Sequence, residues 1–188
     1  MGEIISFLRT ETEKREILIE DCLKLDLNSA GEVDPCILTA VLQSVHQVYS
    51  SVEKLRVNKP EWVMISSNRL YDTIRALIAL GSLPESNMNV GLHREASDSV
   101  VSGYLYVFHL FQIHSHGLAH TLLEQTNYET AINRVFNSVH DDLASRRKFL
   151  DKVRDELSPN DKDDIKVGID LAFDEMENYI KLMLKRRV

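Results

Sequence analysis

The chain has 188 residues, 44% of them hydrophobic and 27% charged, enough for one domain with a sizeable core and too few for two ordinary ones. That composition excludes a disordered tail, a collagen and a small disulfide scaffold. Lys+Arg 22 against Asp+Glu 29 leaves a net charge of −7, which argues against a generally basic nucleic-acid surface but leaves room for a local basic patch.

The apolar period is helical almost throughout. Residues 3–25 carry Ile4, Ile5, Phe7 and Leu8, pass a charged turn, and resume at Ile17, Leu18, Cys22 and Leu25. After a polar break over 26–34, Asp34-Pro35 reads as an N-cap with proline at the first helical position. The helix that follows has the cleanest pattern: Leu38, Val41, Val45, Val48, Val52 and Leu55 repeat at 3-4-3-4-3, the spacing of a seam that packs along a partner helix. Asn58-Lys59-Pro60 repeats the cap-and-proline device and predicts a third helix carrying Trp62, Ile65, Leu70, Ile74, Leu77 and Ile78 up to Gly81.

Residues 81–94 have no usable period and read as a mobile loop. A fourth helix is predicted from Ala96 to Glu124; around Tyr104 to Phe111 it is apolar on most sides, the mark of a central helix. Thr126-Asn127 interrupts the pattern. A fifth helix carries Ala131, Ile132, Val135, Phe136, Val139, Leu143, Phe149, Leu150, Val153 and Leu157. Ser158-Pro159 opens a sixth, striped by Ile165, Ile169, Ala172, Met176, Ile180 and Met183 and ending on Lys185-Arg186-Arg187. The expected fold is one all-α domain over 1–188, a bundle of six to seven long helices.

Cys22 and Cys36 have neither CxxC nor zinc-ligand spacing and are expected to be reduced, mostly buried thiols. The opening MGEIISFLRTETEKRE lacks the basic and apolar regions of a signal peptide and is a poor myristoylation match. No apolar run approaches the roughly 20 residues of a membrane span. A cytoplasmic or nuclear location is expected, with no membrane partner and no cofactor.

Three groups of side chains are candidates for chemistry. In FHLFQIHSHGLAH, His109, His116 and His120 fall within about 40° on one helical stripe. They are weak metal candidates, because the chain lacks paired Glu-x-x-His motifs and the glutamate of HExxH; polar residues at a helix contact are the plainer reading. In RVFNSVH, Arg134 and His140 resemble the signature of HEPN ribonucleases, where such a pair would act across a dimer on RNA as phosphate binder and acid/base. Six residues is −120° on a regular helix, so the two do not share a face. Basic spots complete the set: Lys54, Arg56 and Lys59, then Arg69 and Arg75, then Arg146, Arg147 and Lys148. Each suits phosphate contact by charge, and each also suits an ordinary solvated helix face.

Read in order, several blocks resemble the translin/Trax family: FLRTETEKREILIEDCLKL, ILTAVLQSVHQ, KPEW with NRLYDTIRALIAL, ASDSVVSGYLYV through Asp98, Ser102, Gly103 and Leu105, and DEMENYIKLMLKRR through Glu177 and Asn178. The resemblance implies an all-α subunit that assembles with copies or relatives into a hollow oligomer around single-stranded RNA or DNA. It also implies a subunit without nuclease activity. Where Trax-type chains offer metal-binding carboxylates, this chain has Arg75 three residues after Asp72, and YLYVFHLF holds neither Asp nor Glu. Phosphate contact would fall to Lys54, Arg56, Lys59, Arg69 and Arg75. The expected function is thus a homo- or hetero-oligomeric nucleic-acid-binding subunit, more a binder than an enzyme. The alternatives are the metal-independent ribonuclease, a toxin or defence effector, and a helical protein-interaction module with no nucleic-acid role. The oligomer rests on one expectation: that the seam from Leu38 to Leu55 exceeds what a single bundle can cover.

Overall fold

The computed structural model describes residues 2–23, 34–85, 92, 95–123, 133, 135–136 and 139–185. Among them the chain forms seven α-helices and no strand: α1 Glu3–Glu13, α2 Glu16–Cys22, α3 Pro35–Asn58, α4 Asn68–Ala79, α5 Asp98–Leu123, α6 Val139–Glu156 and α7 Lys162–Lys185. This is the all-α bundle that the apolar period predicts. The charged turn falls at Lys14 and Arg15, splitting the first predicted helix into α1 and α2. A 3₁₀ turn over Pro159–Asp161 leads into α7 through a capping box, in which the Asp161 carboxylate accepts from the Ser158 backbone N–H at 2.8 Å.

Helix α3 starts as expected: the Asp34 carboxylate accepts from the Cys36 backbone N–H at 2.8 Å, with Pro35 at the first helical position. Its seam overturns an expectation. Leu38, Val41, Val45, Val48, Val52 and Leu55 are all buried within the single chain, against elements that include α4 and α7. A seam already enclosed makes no demand for a partner helix, so the pattern carries no argument for an oligomer. Cys36 also departs from expectation. It faces solvent in the first turn of α3, whereas Cys22 is buried with its thiol donating to the Met176 carbonyl at 3.6 Å. Burial pushes the Cys22 thiol up to about 12, so it is an inert core group.

The central pair is α5 and α7. The stretch from Val101 to Gln112 on α5 is buried on every side, as its all-round apolar sequence predicts. Two glycines let the axes approach. A Cβ on Gly103 would fall onto the Ile165 carbonyl, 2.9 Å from its carbon and 3.1 Å from the Ile169 nitrogen. A Cβ on Gly168 would fall onto the Val100 carbonyl, 2.8 Å from the Tyr104 nitrogen. The obstacles are backbone atoms of regular helices, which cannot swing aside as a side-chain tip can.

The third predicted helix starts late. Trp62, Val63 and Ile65 are buried, but in an irregular connection before α4 begins at Asn68. Arg56 is the reason. Its guanidinium donates to the Val63 carbonyl at 3.1 Å and to the Ile65 carbonyl, satisfying two acceptors that an α-helix would satisfy internally. The helix ends as predicted at Gly81, whose φ of 72° few other residues adopt readily. Residues 82–85 do not behave as a mobile loop. Gln43 donates to the Leu83 carbonyl at 2.7 Å and accepts from the Glu85 backbone N–H at 3.0 Å, while Gln47 donates to the Glu85 carbonyl at 2.8 Å. The rest of the 81–94 segment, apart from Leu92, and the break at Thr126-Asn127 lie outside the described residues.

The α5–α7 contact gives a direct test. Gly168→Ala is expected to cost about 3 kcal/mol or more in urea denaturation, because overpacking against backbone has no rotamer escape. Gly117→Ala, where a Cβ would meet nothing within 4 Å on the same α5 helix, is expected to leave stability unchanged or raised.

Candidate functional site

The five side chains proposed for phosphate contact do not form a free basic surface. Arg69 is buried, with its guanidinium donating to the Val135 carbonyl at 2.9 Å and to Asp142; it cannot reach a nucleic acid from that position. Arg56 holds the 59–67 connection and bonds Glu53 at 3.0 Å. Lys59 reaches Asp98 at 2.6 Å, and this hydrogen bond holds the Asp98 carboxyl below its usual range. Lys54 and Arg75 are exposed, Arg75 by 67% and with its nearest carboxylate, Asp72, 4.0 Å away. Sequence spacing groups these cations, and internal carbonyls and carboxylates claim three of them.

The histidine stripe divides in the same way. His116 meets the Asp142 carboxylate through Nε2 at 2.8 Å. Asp142 also accepts from Gln112 at 3.0 Å and from Arg69, and Tyr49 lies beside this group and is pushed up to about 12, chiefly by burial. Three helices, α4 to α6, therefore meet at one carboxylate, with Tyr49 of α3 close by. His109 is buried against the Phe149 ring, 4.7 Å between centroids, with neither ring nitrogen partnered among the described residues. Burial, aided by the Arg146 charge, lowers its pKa to about 3. The His120 side chain lies outside the described residues, and among those described no three His, Cys, Asp or Glu side chains group as metal ligands. His140 is exposed in the first turn of α6. Arg134, its expected partner, is outside the described residues.

A second buried carboxylate was not singled out by the sequence. Glu175 on α7 accepts from Ser51 on α3, Tyr104 on α5 and Tyr179 on its own helix. Burial first, and then the Glu175 charge, raises both tyrosine pKa values. Every donor in this group is matched to the carboxylate, which makes it a cross-brace of the bundle. The only hint in the sequence is an acid at the edge of the Ala172–Met176 stripe.

An open groove lies between α1 and α6. Gly2, Ile5, Leu143, Arg146, Arg147, Leu150, Asp151 and Arg154 line a groove of about 330 Å³. Leu143, one of the apolar residues of the fifth predicted helix, is 50% exposed. Arg146 lies 6.0 Å over the Tyr106 ring, with a buried Nε that finds no acceptor among the described residues. Arg154 is steadied by Asp151 at 2.8 Å and Asp155 at 3.4 Å. Arg147 is exposed and makes no ion pair among the described residues. The groove thus combines an apolar floor of Ile5, Leu143 and Leu150 with three guanidinium groups, on a chain of net charge −7.

Two outcomes follow from the buried groups. Asp142→Ala is expected to destabilise the fold by about 3–5 kcal/mol, since it strands a buried guanidinium; chemical denaturation measures it. For His109 the folded pKa of about 3 lies below its ordinary 6.5. The unfolded chain therefore takes up a proton first as pH falls. This contribution is fully present above pH 6.5 and is lost between 6.5 and about 3, at about 1.4 kcal/mol per pH unit. His109→Leu should remove that part of the slope in denaturation at pH 7, 5.5 and 4.5, without loss of stability at pH 7.

No helix among the described residues is long and apolar enough to cross a membrane. In comparison with known proteins, the chain matches no family model, no curated protein and no solved structure, so a functional reading rests on its own geometry.

Proposed function

We propose that this chain is a helical protein-interaction module that engages an anionic partner through the groove between α1 and α6. One observation carries the reading: half-exposed Leu143 and three arginines line the same 330 Å³ groove, on an otherwise acidic chain. A cationic strip on an acidic protein is selective, because the surrounding field repels anions that do not find it.

The same observations weigh less for the translin-like alternative. Single-stranded nucleic acid calls for aromatic platforms on which bases stack, and no aromatic ring among the described residues lines the groove. Of the cations assigned to phosphate, Lys54 and Arg75 stay exposed, while Arg69 is buried.

The test uses fluorescein-labelled 20-residue polyglutamate and an oligouridylate of equal length, followed by anisotropy at 50 and 200 mM salt. Polyglutamate is expected to bind in a salt-sensitive manner and to lose at least tenfold in affinity to the double variant Arg147→Glu, Arg154→Glu. Binding unchanged in that variant would rule the groove out. Tighter binding of oligouridylate, lost in the same variant, would favour a nucleic-acid role instead.

A further inference from the structure

We infer that the groove is shaped for an acidic amphipathic helix of about three turns contributed by another protein, an inference that rests on the module reading above. The lining residues of α6 fall at 143, 146, 147, 150, 151 and 154. These spacings of three and four place them on one face of the helix. At 1.5 Å per residue the face runs for roughly 16 Å, the length of an 11-residue partner helix laid alongside. Ile5 of α1 completes the apolar floor from the other side.

Floor and rim ask for different chemistry. Leu143 and Leu150 are seven residues apart, two turns of α6, and match apolar side chains repeating at i, i+4 and i+7 on an incoming helix. Between and beyond them stand Arg146, Arg147 and Arg154. Guanidinium forks pair with carboxylates bidentately, so the partner should carry Asp or Glu beside its apolar stripe. Asp151, the one acid among the described lining residues, bonds Arg154 at 2.8 Å, with Asp155 on its other side at 3.4 Å, so the cations of the rim without a carboxylate among the described residues are Arg146 and Arg147. An anion without apolar groups would leave Leu143 in water.

The decisive probe is a labelled 14-residue helical peptide with leucines at i, i+4 and i+7 and glutamates alongside. Its control is a scrambled peptide of identical composition, which keeps the charge and loses the stripe. The amphipathic peptide is expected to bind at least tenfold more tightly than the scramble. Leu143→Asp and Arg147→Glu should each weaken it at least tenfold; both side chains are exposed, and unchanged thermal melts check that folding is intact. Equal affinity for the two peptides, with polyglutamate binding retained, overturns the helix and leaves the module. Loss of all three ligands overturns both. Displacement of the peptide by oligouridylate in preference to the reverse would assign the groove to nucleic acid. Self-association in light scattering that Leu143→Asp abolishes would assign it to a second copy of this chain.

Discussion

The contact between α5 and α7 sets the dimensions of everything else. Two helices whose backbones touch at Gly103 and Gly168 lie closer than side chains ordinarily allow. That closeness puts Tyr104 within reach of Glu175 and makes α5 a helix with no solvent side over Val101 to Gln112. Helices α1, α2, α3 and α6 then pack around this pair. Each can keep an ordinary amphipathic pattern because the unusual approach is confined to the centre.

Burying so much of α5 also buries polar groups, and two carboxylates gather several of them across helices. Asp142 gathers Arg69, Gln112 and His116; Glu175 gathers Ser51, Tyr104 and Tyr179. An acid, a histidine and an arginine in one place resemble catalytic equipment. Here the carboxylate of Asp142 is only 4% exposed and already accepts from three donors, so its first consequence is mechanical. Such networks fix which helices meet, since a single missing partner leaves a desolvated charge.

The same logic separates internal cations from those left at the surface. Arg56, Lys59 and Arg69 have acceptors inside the chain. Arg147 has none among the described residues, and it stands beside a leucine that the fold leaves half in water. Exposed apolar surface next to unpaired guanidinium on a net acidic chain is the chemistry on which the proposed recognition surface rests. No such coincidence marks the buried clusters.

The helices themselves were legible from the residues: their period, the Asp34-Pro35 and Ser158-Pro159 starts, the Gly81 stop and the buried centre of α5 all follow from local rules. The fate of polar side chains was not. Whether Arg69 meets phosphate or Asp142 depends on a carboxylate 73 residues away, and no spacing along one helix reports a distant partner. Trp62 and Ile65 read as helical because their spacing fits, yet Arg56 across the turn offers their segment other hydrogen bonds. The 3-4 seam of α3 foretold burial without saying by whom, and the chain's own helices are what cover it. Leu143 and Phe149 are six residues apart and so stand about 120° apart on α6; Phe149 faces the core, while Leu143 faces the groove beside α1 and stays half exposed. Local sequence determines which face of each helix is apolar; tertiary packing decides which of those faces the chain itself can cover.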